Sequence, residues 1–82
     1  MKSKKDKDIN KILSQIFKKI FKLKRVNSNK LNYESVPNWD SLAHMQLVSQ
    51  IEKKFRININ EIDISTITSY NKIIKLLKKK YE

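Results

Sequence analysis

The tripeptide Asp40-Ser41-Leu42 is where residue types and spacing in this chain offer chemistry. Pro37, Asn38 and Trp39 precede it and break regular structure. Leu42, Met45, Leu47, Val48, Ile51 and Phe55 follow it and cover one broad helical arc. Ser41 therefore falls in the first turn of an amphipathic helix, with an accessible hydroxyl. A phosphate ester formed there would lie beside unpaired backbone N–H groups, in the favourable field of the helix N-terminus. A catalytic serine would also need a base, and a third group to orient that base. His44, the single histidine, lies one turn beyond, but no third group accompanies it and the pair is not read as a dyad. The carboxylates show neither an HExxH-like nor a calcium-loop spacing, so no intrinsic metal site is expected. The serine reads as an attachment point, and the chain as no enzyme. Asp40 and Ser41 can also serve as helix caps. Trp39 reads as a packing residue, a staple over the helix start.

The elements that must position this serine follow from the periodicity. Residues 1–8 are lysine-rich and expected to fray, leaving residues 9–82 as a single domain. Ile9, Ile12, Leu13, Ile16, Phe17, Ile20 and Phe21 recur at spacings of three and four and predict a first helix. Residues 26–40, rich in asparagine and holding Pro37, predict a long connecting loop. Loops of such length are often functional. The second helix is predicted from about Ser41 to Phe55. The alternation in residues 56–60 imitates a strand, but there is no second strand to pair with it, so it reads as an extended connector. A short third helix around Glu61–Thr66, capped by Asn60, is followed by a last helix starting after Thr68 or Ser69. That helix is expected to bury Tyr70, Ile73, Ile74 and Leu77. The chain has no glycine, so any left-handed helix cap must fall on asparagine or another residue.

Composition narrows the function classes. With 82 residues and no cysteine, disulfides and thiolate metal sites are excluded, and a reducing, cytoplasmic setting is expected. Lysines interrupt every apolar stretch before it could span a membrane. The net charge of +11 is unevenly placed: +9 in residues 1–30, −2 in residues 31–67 and +4 in residues 68–82. The segment around Ser41 is thus slightly acidic. Seventeen of the nineteen basic residues are lysine, whereas groove readers depend on arginine for bidentate base contacts. The lysine-rich face of the first helix reads as the solvated side of a core helix, because its apolar face cannot serve a core and a membrane at once. A small basic module for nucleic acid or a membrane surface is the alternative reading.

From Asp40 to about Leu77 the chain resembles the acyl carrier and peptidyl carrier proteins. The resemblance rests on more than Asp40-Ser41-Leu42. Leu47-Val48, Ile51 and Phe55 fall where that family's second helix is apolar, Ile59 follows Phe55 at the family's spacing, and Ile67-Thr68-Ser69 stands at the entry to the last helix. The match runs without a gap over about half the chain. It implies an all-α fold, a four-helix bundle of three longer helices and a short third one, with a long loop between the first two.

The resemblance further implies that Ser41 receives 4′-phosphopantetheine from coenzyme A, and that acyl or aminoacyl groups ride on the arm as thioesters. Asp40 would help to present the site and its metal to a phosphopantetheinyl transferase. Leu42 and Met45 would be contacts for that transferase, the loading enzyme and later synthases. Base and magnesium would come from the transferase. A monomer, with neither nucleic acid nor stable membrane insertion as its main business, is expected. Two departures from fatty-acid carriers point to a dedicated pathway: Asn38-Trp39 replaces a small or glycine-containing sequence, and the second helix sets only Asp40 and Glu52 against Lys53 and Lys54.

Overall fold

A computed structural model describes residues 2–81, with side chains from Asp8 to Lys80. Among the described residues four α-helices follow one another, α1 Lys2–Phe21, α2 Ser41–Phe55, α3 Glu61–Thr66 and α4 Tyr70–Tyr81, with a short 3-10 turn at Ser28–Lys30 in the loop before α2. Among the described residues there is no strand, and residues 56–60 run as a connector, as their unpaired alternation predicted. Three longer helices and one short one make a small all-helical bundle.

α1 is described from Lys2, well before the apolar periodicity starts at Ile9. Lysine is a good helix former, so propensity can carry a helix through a segment with no apolar face. The side chains of residues 1–7 lie outside the described residues, but the backbone is helical from Lys2 where a frayed basic start was expected. From Ile9 onward the helix works as the hub of the bundle, packing against both α2 and α4. Ile9, Leu13, Ile16, Phe17 and Phe21 are buried, while Lys11, Lys18 and Lys19 are exposed on the other side. The apolar face of α1 thus belongs to the core.

The remaining core comes from Leu47, Val48, Ile51 and Phe55 of α2, Ile59 of the connector, and Tyr70, Ile73 and Leu77 of α4. Ile20 and Ile74 are only half-buried at its margin. α3 begins at its Asn60 cap, whose side chain accepts the Asp63 N–H at 2.8 Å. α4 begins where Ser69 Oγ accepts the Lys72 N–H at 3.1 Å. Lys80 of α4 reaches Asp63 of α3 at 3.7 Å.

Without glycine, the two left-handed backbone positions fall on Lys22 (φ 53°) and Arg56 (φ 55°). Arg56 closes α2 by donating its N–H to the Glu52 carbonyl. Neither position is taken by an asparagine. The loop from residue 22 to residue 40 is held by polar side chains in place of glycine turns. Asn32 Oδ1 accepts from the Glu34 and Ser35 N–H groups, at 3.0 and 2.9 Å, and Ser35 Oγ donates to the Lys30 carbonyl. The loop is pinned across the molecule as well. The Tyr33 N–H donates to the Thr68 carbonyl at 2.8 Å, and the Tyr70 N–H donates to the Leu31 carbonyl at 2.9 Å. Buried Leu31 and Val36 fasten it to the core.

Phe55 is 3% exposed, so Phe55→Ala should cost about 3–5 kcal/mol. Thermal unfolding should register this as a fall of several degrees per kcal/mol, and an unchanged Tm would contradict the burial. Tyr70 is 2% exposed and its hydroxyl donates to the Asn10 carbonyl at 3.2 Å. Burial pushes its ionisation above the usual 10.0, so the fold favours the neutral phenol. The stabilisation it brings is fully present below pH 10 and is lost as pH rises through the raised folded value. Urea unfolding across this range should show wild type losing its margin over Tyr70→Phe only above pH 10.

Candidate functional site

The first turn of α2 is assembled from its cap outward. Asp40 has extended backbone (φ −105°, ψ −173°), and its Oδ1 accepts the Ala43 N–H at 2.8 Å. Its carbonyl accepts the His44 N–H at 2.8 Å, the first bond of the helix. Asp40 is therefore the N-cap. That leaves Ser41 as the first helical residue, exposed, with no hydrogen bond from its hydroxyl among the described residues. Leu42 and Met45 follow at 70% and 51% exposure, beside the serine instead of in the core. The structure thus brings Asp40, Ser41, Leu42 and Met45 to one exposed helix end.

Trp39 fixes that end to the rest of the molecule. The indole is 2% exposed and lies against Phe17 and Phe21 of α1, with ring centroids 5.5 and 5.4 Å away. It occupies the residue before the cap, and His44 occupies the fourth helical position, the pairing of a hydrophobic staple. The two rings stack at 6.0 Å and 26°. They are also hydrogen-bonded: indole Nε1 donates to His44 Nδ1 at 2.9 Å.

His44 is a structural link instead of an isolated surface histidine. Because Nδ1 accepts from the indole, the neutral ring carries its proton on Nε2. That nitrogen faces the Ile64 carbonyl at 2.7 Å and donates to it. Both ring nitrogens are engaged, and neither is free to take a proton from Ser41. One imidazole so joins the residue before the site, the first turns of α2, and α3. Staple spacing could have suggested the Trp39–His44 pair; nothing local to the sequence points to Ile64, twenty residues away.

The other acid of α2 is also used internally. Glu52 Oε2 accepts the Ile59 N–H at 2.9 Å and ties the connector back to the helix. Asp40 and Glu52 thus each accept a backbone N–H, Asp40 from the first turn of α2 and Glu52 from beyond its end. Among the described residues, no group of three or more His, Cys, Asp or Glu side chains is gathered closely enough to hold a metal ion. No described helix is long and apolar enough to cross a membrane.

The three residues at the helix start should separate cleanly in urea unfolding. Asp40→Ala removes a cap and should cost about 0.5–2 kcal/mol. Trp39→Phe leaves the part-buried His44 Nδ1 without its donor and should cost about 1–3 kcal/mol. Ser41→Ala should stay within about 0.5 kcal/mol of wild type. A serine variant as weak as Asp40→Ala would make Ser41 the cap after all. No family model matches the chain, and neither a curated protein nor a solved structure is significantly similar to it.

Proposed function

We propose that this protein is a carrier that holds acyl or aminoacyl intermediates as thioesters on a 4′-phosphopantetheine arm attached to Ser41. The observation that carries the reading is the division of labour at the start of α2. Asp40 caps the helix, and the Ser41 hydroxyl is exposed with no hydrogen bond among the described residues. In the attachment step the serine oxygen bonds to the phosphorus nearest the pantetheine, the pyrophosphate bond of coenzyme A breaks, adenosine 3′,5′-bisphosphate leaves with the bridging oxygen, and the hydroxyl proton passes to a base of the transferase. The product is a phosphodiester with one negative charge. At an exposed helix N-terminus such an anion gains about 0.3–1 kcal/mol.

This chain's own contribution is positioning. Trp39, buried against Phe17 and Phe21, packs the residue before the Asp40 cap onto α1. Leu42 and Met45 offer apolar surface beside the serine to the transferase and the loading enzyme. The rest of the chemistry belongs to those enzymes.

The test is mass spectrometry after incubation with coenzyme A and a broad-specificity phosphopantetheinyl transferase. Wild type should gain one phosphopantetheine and Ser41→Ala none, with both proteins folded. An unmodified wild type, or a modified alanine variant, would overturn the assignment.

A further inference from the structure

A trough runs along the seam between α1 and α2, from Leu42 beside Ser41 to Lys54. Its inner end is a cavity of about 300 Å³, which opens outward into a second of about 530 Å³. The two share Lys19, Ile20 and Gln50, so they form a continuous depression. The apolar surface comes from Ile12, Ile16 and Ile20 of α1 and from Leu42 and Met45 of α2. Ile12 and Ile20 are only half-buried, and Leu42 and Met45 are the most exposed large apolar side chains of α2. Met45 brings an unbranched side chain that adapts to what lies against it.

Charge says what this apolar surface would meet. The ionisable residues lining the trough are Lys19 and Lys54, with no carboxylate among the lining. Neither lysine has a carboxylate partner among the described residues. The nearby carboxylates accept backbone N–H groups elsewhere, Asp40 at the cap of α2 and Glu52 from the connector, and neither lines the trough. A second copy of this chain, with its net charge of +11, would be repelled. The isoleucines of α1 recur every four residues, so the walls are two helical ridges, which a third helix can fill. From Leu42 to Lys54 the trough extends about 18 Å, the length of roughly three helical turns.

We infer that the α1–α2 trough is a docking groove for an acidic amphipathic helix of a partner protein. The partner's apolar stripe lies on Ile12, Ile20, Leu42 and Met45, and its flanking carboxylates meet Lys19 and Lys54. This is the helix-in-groove mode of recognition. Lysine suits it, because a compact charge on a flexible stem does not demand one carboxylate geometry. The inference goes beyond the attachment at Ser41 and does not need that serine to be modified.

The experiment is an NMR titration of the isotope-labelled protein with a synthetic helical peptide of about fourteen residues, long enough to cover the trough. Leucines at i, i+4, i+7 and i+11 are flanked by glutamates in one peptide and by lysines in the other. The glutamate peptide should bind saturably, with a Kd of about 10–100 µM at low salt, and shift signals of Ile12, Ile20, Leu42 and Met45. Added salt should weaken it. The double variant Lys19→Glu, Lys54→Glu changes exposed or rim positions, should keep the wild-type circular dichroism, and should bind at least about tenfold more weakly. Ser41→Ala should bind as wild type does, so failure at this groove and failure of the attachment reading are independent. The inference is overturned by absence of saturable binding at millimolar peptide, by equal binding of the lysine peptide, by shifts centred elsewhere, or by an undiminished double variant. It is also overturned if the same residues respond to vesicles of equal phosphatidylglycerol and phosphatidylcholine and not to the glutamate peptide.

Discussion

A tryptophan can be buried in a domain this small only if its indole N–H finds an acceptor, and that requirement organises the start of α2. His44 Nδ1 is the acceptor, 2.9 Å away. An unpaired N–H at such a position would cost about 1–3 kcal/mol, a large part of what a domain of this size can muster. Accepting on one nitrogen forces the imidazole proton onto the other, which then needs an acceptor of its own. The Ile64 carbonyl supplies it, so α3 is held in place by a chain of requirements that begins with Trp39. Phe17 and Phe21 also pack against the indole, and Phe17 in turn meets Tyr70 at 5.0 Å. One side chain so couples the loop, α1, α2, α3 and α4 around the residue that precedes the Asp40 cap and Ser41.

A second regularity concerns the acids of the middle segment. Asp40 accepts from a backbone N–H at the front of α2, Glu52 from one beyond its end, and Asp63 faces Lys80. Each secures a junction between elements. Backbone amides at helix ends are obligate donors, and a glycine-free chain has fewer turn geometries with which to satisfy them. These carboxylates sit at the junctions and not along the seam between α1 and α2, where the ionisable lining is Lys19 and Lys54.

Much of this was legible from the chain alone. The bounds of α2, α3 and the start of α4 are announced by Asp40, Asn60 and Ser69 followed by apolar arcs, because cap and periodicity are local signals that agree. The start of α1 was not, since residues 2–8 have helix propensity without an apolar face. The exposed, uncommitted state of Ser41 was half legible: either neighbour could have been the cap, and only geometry assigns the task to Asp40. The engagement of His44 and Glu52 was not legible at all beyond the staple spacing. Their partners are backbone groups brought near by tertiary packing, and backbone groups leave no trace in residue type.

The two backbone hydrogen bonds that fasten the loop to the head of α4 join residues more than thirty positions apart, Leu31 to Tyr70 and Tyr33 to Thr68. Opening the segment that leads into Ser41 should consequently cost more than opening a loop held only at its ends. To lift it, the chain must also release the first turn of α4 and expose the rings packed beneath it. Loop and last helix then behave as one cooperative unit, whose opening approaches global unfolding. A long, glycine-free, asparagine-rich connection would ordinarily be the first segment of a small domain to melt. In this chain those two bonds should tie its melting to that of α4.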